Sequence, residues 1–384
     1  MAIVVTGGWY RLAVYLPTPS GTGRPVQAKP LFPAVADPLL FQRYVEGRPN
    51  RTPVQVHGIY VTSYIAALPD RFNALVDLVD HTELNAMVID IKANNGVVAF
   101  NTKQKLAHDV GAVRGNLIDL QSVAETLTEH DIYSIARVVS FEDTILARAR
   151  PDLAVRTSDG RVFSDPANWS WTNPYNKQVW DYLVGMAKEA AAAGFREIQF
   201  DYVRFPAEGL TSTLVYDGAN GKSRTQAIHD FLAYARDQLR PYGAYVSADV
   251  FGLTTTAIDD LGIGQHFEDV ASAVDYISPM VYPSHYIPGN YRLPDPDGAP
   301  YDTVHHAMLD AKSRLAKMDA PAIMRPWLQD FSLQHHYGAD QVRAQIQAVY
   351  DAGFKEWILW NPLNQYTAAA LHPKGGAAVP APNP

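Results

Sequence analysis

The stretch Glu197-Ile198-Gln199-Phe200-Asp201-Tyr202-Val203-Arg204-Phe205-Pro206 carries more information about the fold than any other part of the chain. Its apolar and polar positions alternate, as in a buried β-strand, and it ends in a carboxylate, an arginine and a proline. A charge inside a strand is costly to bury unless the strand end opens onto water. In a parallel barrel that opening lies at the C-terminal end of the strand, where reactive groups are found.

Seven other apolar runs have the same character, and amphipathic segments separate them. The predicted strands are Val56–Thr62, Ala86–Lys92, Tyr133–Phe141, Glu197–Phe205, Tyr245–Gly252, Tyr276–Tyr282, Ala322–Gln329 and Glu356–Asn361. The predicted helices are Arg71–His81, Leu117–Glu129, Asn176–Ala193, Thr225–Leu239, Phe267–Val274, Thr303–Met318 and Asp340–Ala352. This alternation predicts an α/β fold, a (β/α)8 TIM barrel. The alternative is an open doubly wound sheet, but no Gly-rich phosphate turn follows a strand, which argues against a dinucleotide-binding version.

The composition narrows the classes of function. The chain has 384 residues, 47% of them hydrophobic, a net charge of −8 and no cysteine. The scattered basic residues argue against nucleic acid or an anionic membrane as the main partner. Without cysteine, disulfides, thiolate catalysis and Cys-based zinc sites are excluded. We see neither a membrane-spanning apolar run nor a signal peptide.

Three regions are expected along the chain. Residues 1–53 are dense in Pro and Gly and predict an irregular N-terminal arm. Residues 54–366 contain the strands and helices of the barrel. Residues 367–384, rich in Gly, Ala and Pro, predict a flexible, disordered C-terminal tail.

Three carboxylates fall at matching depth, late in their predicted strands: Asp90, Asp201 and Asp249. The strands of Asp201 and Asp249 are neighbours in a barrel, so these two side chains should face one another across its mouth. Glycosidic cleavage needs such a pair, one to donate a proton and one to attack the sugar or activate water. When two carboxyl groups lie this close, the pKa of one is also raised above that of the other, which gives one acid and one base. Each acid has a structural alternative: Asp201 as a partner of Arg204, Asp249 as a loop cap, and Asp90 as a partner of Lys92 or Arg137.

Side chains suited to sugar binding accumulate at the same end of the barrel. Rings stack on the apolar faces of sugars, and amides and hydroxyls bond sugar hydroxyl groups. The candidate substrate-binding residues are Lys92, Arg137, Tyr202, Arg204, Tyr282, His285, Trp327, Gln329, Trp360 and Asn361. The rings could equally be rim packing, and Arg137 and Arg204 could be plain salt bridges or could orient the carboxylates. No metal or cofactor is implied, because the histidine pairs face apart and no His-Glu-x-x-His pattern occurs.

Several motifs together resemble a bacterial family of glycoside hydrolases catalogued as a domain of unknown function, DUF4015, in the TIM-barrel glycosidase superfamily. The motifs that carry the resemblance are Val56–Thr62, Thr82–Lys92, Ala136–Phe141, Trp171–Asn176, Ile198–Pro206, Pro279–Tyr286 and Arg325–Phe331. The resemblance spans about residues 54–366 and implies a (β/α)8 fold that acts on a polysaccharide. By similarity to amylase-type barrels, Asp201 takes the place of the nucleophile and Asp249 that of the acid. The chain departs from that pattern in having Asp249 where Glu is common and Gln199 where an arginine is usual.

The sequence thus predicts a glycosidase with Asp201 as nucleophile or base, Asp249 as acid and Asp90 as transition-state stabiliser or alternative acid. A non-catalytic sugar-binding barrel is one alternative. A Schiff-base lyase that uses Lys92 is another. A polymeric substrate and the family resemblance lead us to expect an extracytoplasmic or secreted protein.

Overall fold

A computed structural model describes residues 54–207, 211–319 and 321–376 of the chain. Its eight barrel strands are β1 (His57–Val61), β2 (Ala86–Lys92), β3 (Tyr133–Val139), β4 (Glu197–Asp201), β5 (Tyr245–Phe251), β6 (Tyr276–Met280), β7 (the two segments Ile323–Met324 and Trp327–Gln329) and β8 (Trp357–Trp360). All are parallel, and the sheet closes because β8 pairs with both β7 and β1. The predicted (β/α)8 barrel is therefore confirmed.

Helices cover the outside of the barrel. They are α1 (Ser63–Ala66), α2 (Pro69–His81), α3 (Lys105–Asp109), α4 (Leu120–Glu129), α5 (Thr144–Ala149), α6 (Lys177–Ala193), α7 (Arg224–Leu239), α8 (Phe267–Ala273), α9 (Pro300–Leu315) and α10 (Ala339–Asp351). The longest, α6, ends at Gly194, whose φ of 118° is readily adopted only by glycine. A small antiparallel pair, Arg156–Thr157 with Leu214–Val215, lies outside the barrel sheet. None of the helices among the described residues is long and apolar enough to cross a membrane.

Strand alternation divides the core into two parts. One side chain of each successive pair points outward and packs against the helices, as Ile198 and Phe200 of β4 do. The other points into the barrel. Inward positions of β4 carry Glu197, Gln199 and Asp201, all at most 5% exposed. The barrel interior is therefore unusually polar along this strand, and its polar groups need partners there.

An ion cluster provides those partners at the N-terminal end of the strands. The Arg325 guanidinium donates to both oxygens of Glu197, at 2.8 and 2.9 Å, and to Glu356 at 2.8 Å. Its carbon lies 3.8 Å from the centre of the Tyr276 ring. Arg325 is fully buried, so this cluster closes the barrel at the end opposite the three candidate acids.

Only some residues near the two ends of the chain can be compared with the predictions. The expected N-terminal arm, residues 1–53, lies outside the described residues, as do residues 377–384. Part of the segment expected to be a flexible tail is ordered: Ala370 and Leu371 are buried, and Pro373 forms a bridge with Thr82 at the start of the second βα unit.

Candidate active site

Arg137 lies at the centre of the candidate site. It comes late in β3, and its guanidinium bonds the carboxylates of both flanking strands. Its Nη1 donates to Asp90 at 2.5 Å, while Nε and Nη2 donate to Oδ2 of Asp201 at 3.0 and 2.5 Å. Burial alone would lower the pKa of Arg137, but Asp90 and Asp201 raise it well above its usual value. The side chain is 2% exposed, so a permanent cation holds two acids inside the barrel mouth.

Asp201 is also held by the main chain of the next residue. The amide of Tyr202 donates to its Oδ1 at 2.6 Å. Tyr202 has a φ of 49°, in the left-handed region that residues other than glycine rarely adopt. Such a conformation is retained where the surroundings impose it, commonly at functional sites. Both oxygens of Asp201 thus accept bonds from donors that suit an ionised carboxylate.

Asp90 receives a second donor, the hydroxyl of Tyr60 on β1. Burial raises the pKa of Asp90, which Arg137 partly offsets, and burial together with Asp90 raises the pKa of Tyr60 well above its usual value. The Tyr60 ring stacks on Trp360 of β8, with centroids 4.0 Å apart. Tyr60 was not among the site residues predicted from the sequence. Its position late in β1, facing into the barrel, could have indicated it.

Asp249 has a different environment from Asp201. The Trp327 indole donates to its Oδ1 at 2.7 Å, and its Oδ2 has no hydrogen-bond partner among the described residues. Burial, and next the charge of Asp201, raise the pKa of Asp249 well above its usual range, despite Arg137. The structure therefore places Asp249 within electrostatic reach of the guanidinium that bonds Asp90 and Asp201, and it favours a proton on Asp249.

The three acids are all buried, to slightly different extents. Asp90 and Asp201 are each 5% exposed, whereas Asp249 is 1% exposed. Partly exposed rings, those of Tyr202, Phe331 and Trp360, contribute to the rim. Asp249 is thus the most deeply buried of the three acids.

Two predicted sugar ligands around β6 lie beside the rim. Tyr282 is 6% exposed, and burial followed by the charges of Asp249 and Asp201 raises its pKa well above normal. The His285 ring is edge-on to Tyr282, with centroids 5.2 Å apart. Burial lowers the pKa of His285 to about 4, so the ring is neutral at pH 7.

Two predicted amide ligands are instead engaged in holding loops. The Gln329 side chain accepts from the Ser284 amide at 3.1 Å and donates to the Phe331 carbonyl at 3.0 Å. Asn361 donates to the Asp330 carbonyl and accepts from the Leu363 amide at 2.8 Å. Because these groups are already bonded to the protein, the structure assigns them to shaping the mouth.

Two predicted cationic ligands are packed into the protein. Arg204 is 3% exposed and its guanidinium lies 4.7 Å from the ring centres of both Trp171 and Phe251. Lys92 is fully buried, 2.9 Å from Asp143, and donates to the Val139 carbonyl at 2.8 Å. A Schiff-base nucleophile must be a neutral, accessible amine. Lys92 is buried beside Asp143, an arrangement that favours a structural role over the predicted substrate-binding or Schiff-base role.

Metal chemistry has no support from side-chain clustering. Among residues 54–207, 211–319 and 321–376, no group of three or more His, Asp or Glu side chains is arranged to hold a metal ion. The guanidinium of Arg137 bonds Asp90 and Asp201, and its charge also acts on Asp249.

Known proteins similar to this chain include three solved structures. A hypothetical protein from Ruminiclostridium thermocellum ATCC 27405 is 36% identical over 53% of this chain and 98% of its own, with a TM-score of 0.46. The PgaB (BpsB) glycoside hydrolase domain from Bordetella bronchiseptica is 14% identical over 80% of this chain and 94% of its own, with a TM-score of 0.59. An α-galactosidase from Thermus thermophilus is 16% identical over 84% and 62%, with a TM-score of 0.50. At such identities the last two show the fold alone. No curated protein matches the chain.

A family model matches residues 58–366, which include every barrel strand except the first residue of β1. The model is DUF4015, described as "Putative glycosyl hydrolase domain". It also includes Arg137 and the three acids around it. The chain therefore belongs to the DUF4015 family and has a glycosyl hydrolase-like TIM barrel.

Proposed function

We propose that the protein is a glycoside hydrolase that cleaves a polysaccharide or oligosaccharide with a pair of Asp carboxylates at the C-terminal face of the barrel. One observation carries the proposal. Asp201 is bonded by a cation and an amide, whereas Asp249 on the neighbouring strand has a strongly raised pKa. Glycosidases need this division between an ionised and a protonated carboxyl group.

In this mechanism Asp249 donates its proton to the oxygen of the departing sugar. Asp201 either attacks the anomeric carbon or removes a proton from the attacking water. Arg137 holds the Asp201 carboxyl group in place with two hydrogen bonds before the substrate arrives, so little reorganisation is needed as positive charge develops on the sugar. Asp90, on the other side of the same guanidinium, adds negative charge that stabilises this cationic transition state.

The depth of Asp249 leaves a second assignment of the acid. With 1% exposure, Asp249 can reach a leaving oxygen only after the rim side chains move apart. Asp90 also has a pKa raised by burial, and its side chain is more exposed. A variant that loses hydrolysis of the natural linkage but keeps activity on an aryl glycoside, whose leaving group needs no proton, lacks the proton donor; this result in Asp249→Asn assigns the acid to Asp249, and in Asp90→Asn to Asp90.

The rim supports a carbohydrate ligand. The exposed parts of the Trp360 and Tyr202 rings offer stacking surfaces beside the carboxylates. Tyr282 and His285 lie along the same rim and offer polar edges. A polymer of this kind is met mainly outside the cytoplasm, so we place the enzyme in an extracytoplasmic or secreted setting.

The test is hydrolysis of a panel of polysaccharides, with NMR of the products to give the anomeric outcome. We expect Asp201→Asn to abolish turnover and leave binding intact, and Asp319→Asn, at an exposed position, to behave as wild type. Azide added to Asp201→Gly should yield a glycosyl azide if Asp201 is the nucleophile. Wild-type protein that binds a glycan without releasing product would favour the non-catalytic sugar-binding alternative. An Asp201→Asn variant that still turns over would exclude Asp201 as nucleophile or base.

A further inference from the structure

A polar layer lies inside the barrel directly beneath the acids. Gln199, Ser247 and Ser278 occupy inward positions of β4, β5 and β6 and are all fully buried. They are neighbours by register, since Gln199 is paired with Ser247, and Ser278 is paired with Asp249. The Gln199 Nε2 donates to Ser278 Oγ at 3.3 Å, which fixes the orientation of the amide.

Three oxygens in and above this layer lack hydrogen bonds. Gln199 Oε1, Ser247 Oγ and Asp249 Oδ2 are buried and have no partner among the described residues. Leaving such an atom unpaired costs about 1–3 kcal/mol. Native proteins almost always avoid this cost, and ordered water supplies the bond where protein groups do not. The three atoms belong to adjacent strand positions, so one or two water molecules can bond to all of them.

We propose that ordered water inside the barrel joins Oδ2 of Asp249 to Gln199 and Ser247, and that these two side chains are positioning residues that keep the proton on Asp249. The inference rests on the proposed function, in which Asp249 is the acid, and deepens it by adding two residues that act on that acid through water.

The direction of the hydrogen bonds follows from the chemistry of the groups. With its Nε2 committed to Ser278, Gln199 presents only its carbonyl oxygen, which accepts but cannot donate. Water that donates one hydrogen to Gln199 Oε1 and the other to Ser247 Oγ has only lone pairs left, so it accepts from the Asp249 hydroxyl. The row of hydrogen bonds that begins at Asp249 and passes through water thus ends on an acceptor, which favours the protonated form of Asp249 over the carboxylate.

Charged and polar groups on the neighbouring strands also influence the ionisation of Asp249. Asp201 and Glu197 on β4 disfavour its ionisation, and Arg137 on β3 favours it. The Trp327 indole on β7 donates to Oδ1, and Tyr282 after β6 responds to the same charge. None of these groups bonds Oδ2, so the water chain acts on the oxygen that they leave free.

Other buried polar atoms without a hydrogen bond among the described residues lie nearer the N-terminal ends of the strands. The Tyr276 hydroxyl and Arg325 Nη2 are also buried without a hydrogen-bond partner among the described residues. Tyr276 is paired in register with Ser247, so these atoms extend the line from Asp249 to the Arg325 cluster. We expect further ordered water along this line.

The experiment measures the titration of Asp249 directly, together with the positions of water. Wild type, Gln199→Met and Ser247→Ala are compared by isotope-edited infrared spectroscopy of the aspartate carboxyl groups, with Asp249→Asn to identify the band. High-resolution crystal structures of the same proteins locate the water. Ser134→Ala is the matched control, because Ser134 is equally buried but accepts from the Arg196 amide outside this layer.

We expect water bonded to Asp249 Oδ2 in the wild type, and a titration midpoint about one pH unit lower in Gln199→Met and Ser247→Ala. Ser134→Ala should match wild type. Crystals in which Oδ2 bonds the protein directly with no water nearby, or unchanged midpoints in both variants, would overturn the inference. Ser247→Ala removes one oxygen only, so it provides the test if Gln199→Met does not fold.

These readouts do not depend on turnover. If no glycan is hydrolysed, the proposed function fails while the water and titration results still decide the inference. If a glycan is hydrolysed, the basic limb of kcat/KM should shift by the same amount as the titration, with KM unchanged.

Discussion

Replacing Arg137 with methionine tests whether this side chain is the counter-ion of the site. The change keeps most of the apolar volume and removes three hydrogen bonds, to Asp90 at 2.5 Å and to Asp201 at 3.0 and 2.5 Å. Both acids are 5% exposed, so the variant leaves two buried carboxylates without their cation. Removing one partner of a buried ion pair costs about 3–5 kcal/mol, and we expect a loss in that range at pH 7.

The loss should depend on pH in a defined direction. Without Arg137, burial and the repulsion from Asp201 are no longer offset at Asp90, whose pKa is already raised and should rise further. The acids then take up protons as the pH falls, and the native state of the variant recovers. The difference in free energy of unfolding between wild type and Arg137→Met should therefore be largest near pH 7 and smaller at pH 5.

Urea denaturation followed by circular dichroism at the two pH values measures this difference, with equal m-values as the condition for comparison. Adding Asp90→Asn and Asp201→Asn to Arg137→Met should restore more than half of the loss. Arg240→Met is the control, since its pair with Asp237 is 67% and 65% exposed and should contribute about 0–1 kcal/mol. A loss below about 1 kcal/mol at pH 7, or one that is the same at pH 5, would refute the counter-ion role.

Three further predictions concern single side chains. Trp327→Phe removes the indole bond to Asp249, which favours the carboxylate, so the pKa of Asp249 should rise in an infrared titration; a fall would contradict the assignment. Burial raises the pKa of Asp330 from 3.8 to about 6. The wild type should therefore lose about 2 kcal/mol of stability relative to Asp330→Asn as the pH rises from 4 to 7, and parallel stability curves would argue against this. Borohydride treatment with a carbonyl compound should leave Lys92 unlabelled, and Lys92→Met should cost about 3–5 kcal/mol in thermal or urea unfolding because it strands Asp143; labelling at Lys92 would restore the lyase alternative.

Most of the barrel could be predicted because the pattern that identifies each strand or helix lies within a few consecutive residues. Alternation along β2 and β4 fixes which side chains face inward, and this placed Asp90 and Asp201 at one end of the barrel. The end of β4 was predicted too far along the chain, to Phe205, whereas the strand ends at Asp201. The left-handed backbone of Tyr202 ends it, and a tyrosine gives no sequence signal for that conformation.

The contacts of the site were harder to predict because they join distant segments. Gln329 and Lys92 were chosen by residue type and position, yet their partners include Ser284 and Asp143, tens of residues away. One sequence does not show which polar groups already have partners. Residue type and strand depth predicted that the acids lie at the same end of the barrel, and there Asp90 and Asp201, on the two strands that flank β3, both bond Arg137.

The backbone at Tyr202 has a consequence for how substrate specificity can change. The donor to Asp201 belongs to the main chain of residue 202, so no replacement there other than proline can delete it. The ring of the same residue borders the mouth and is partly exposed. Substitutions at this position can therefore alter which glycan is accepted while the neighbouring acid keeps its amide contact. The φ of 49° limits the replacements that fold without strain to glycine, asparagine and aspartate, which gives a small and directed library for redesign.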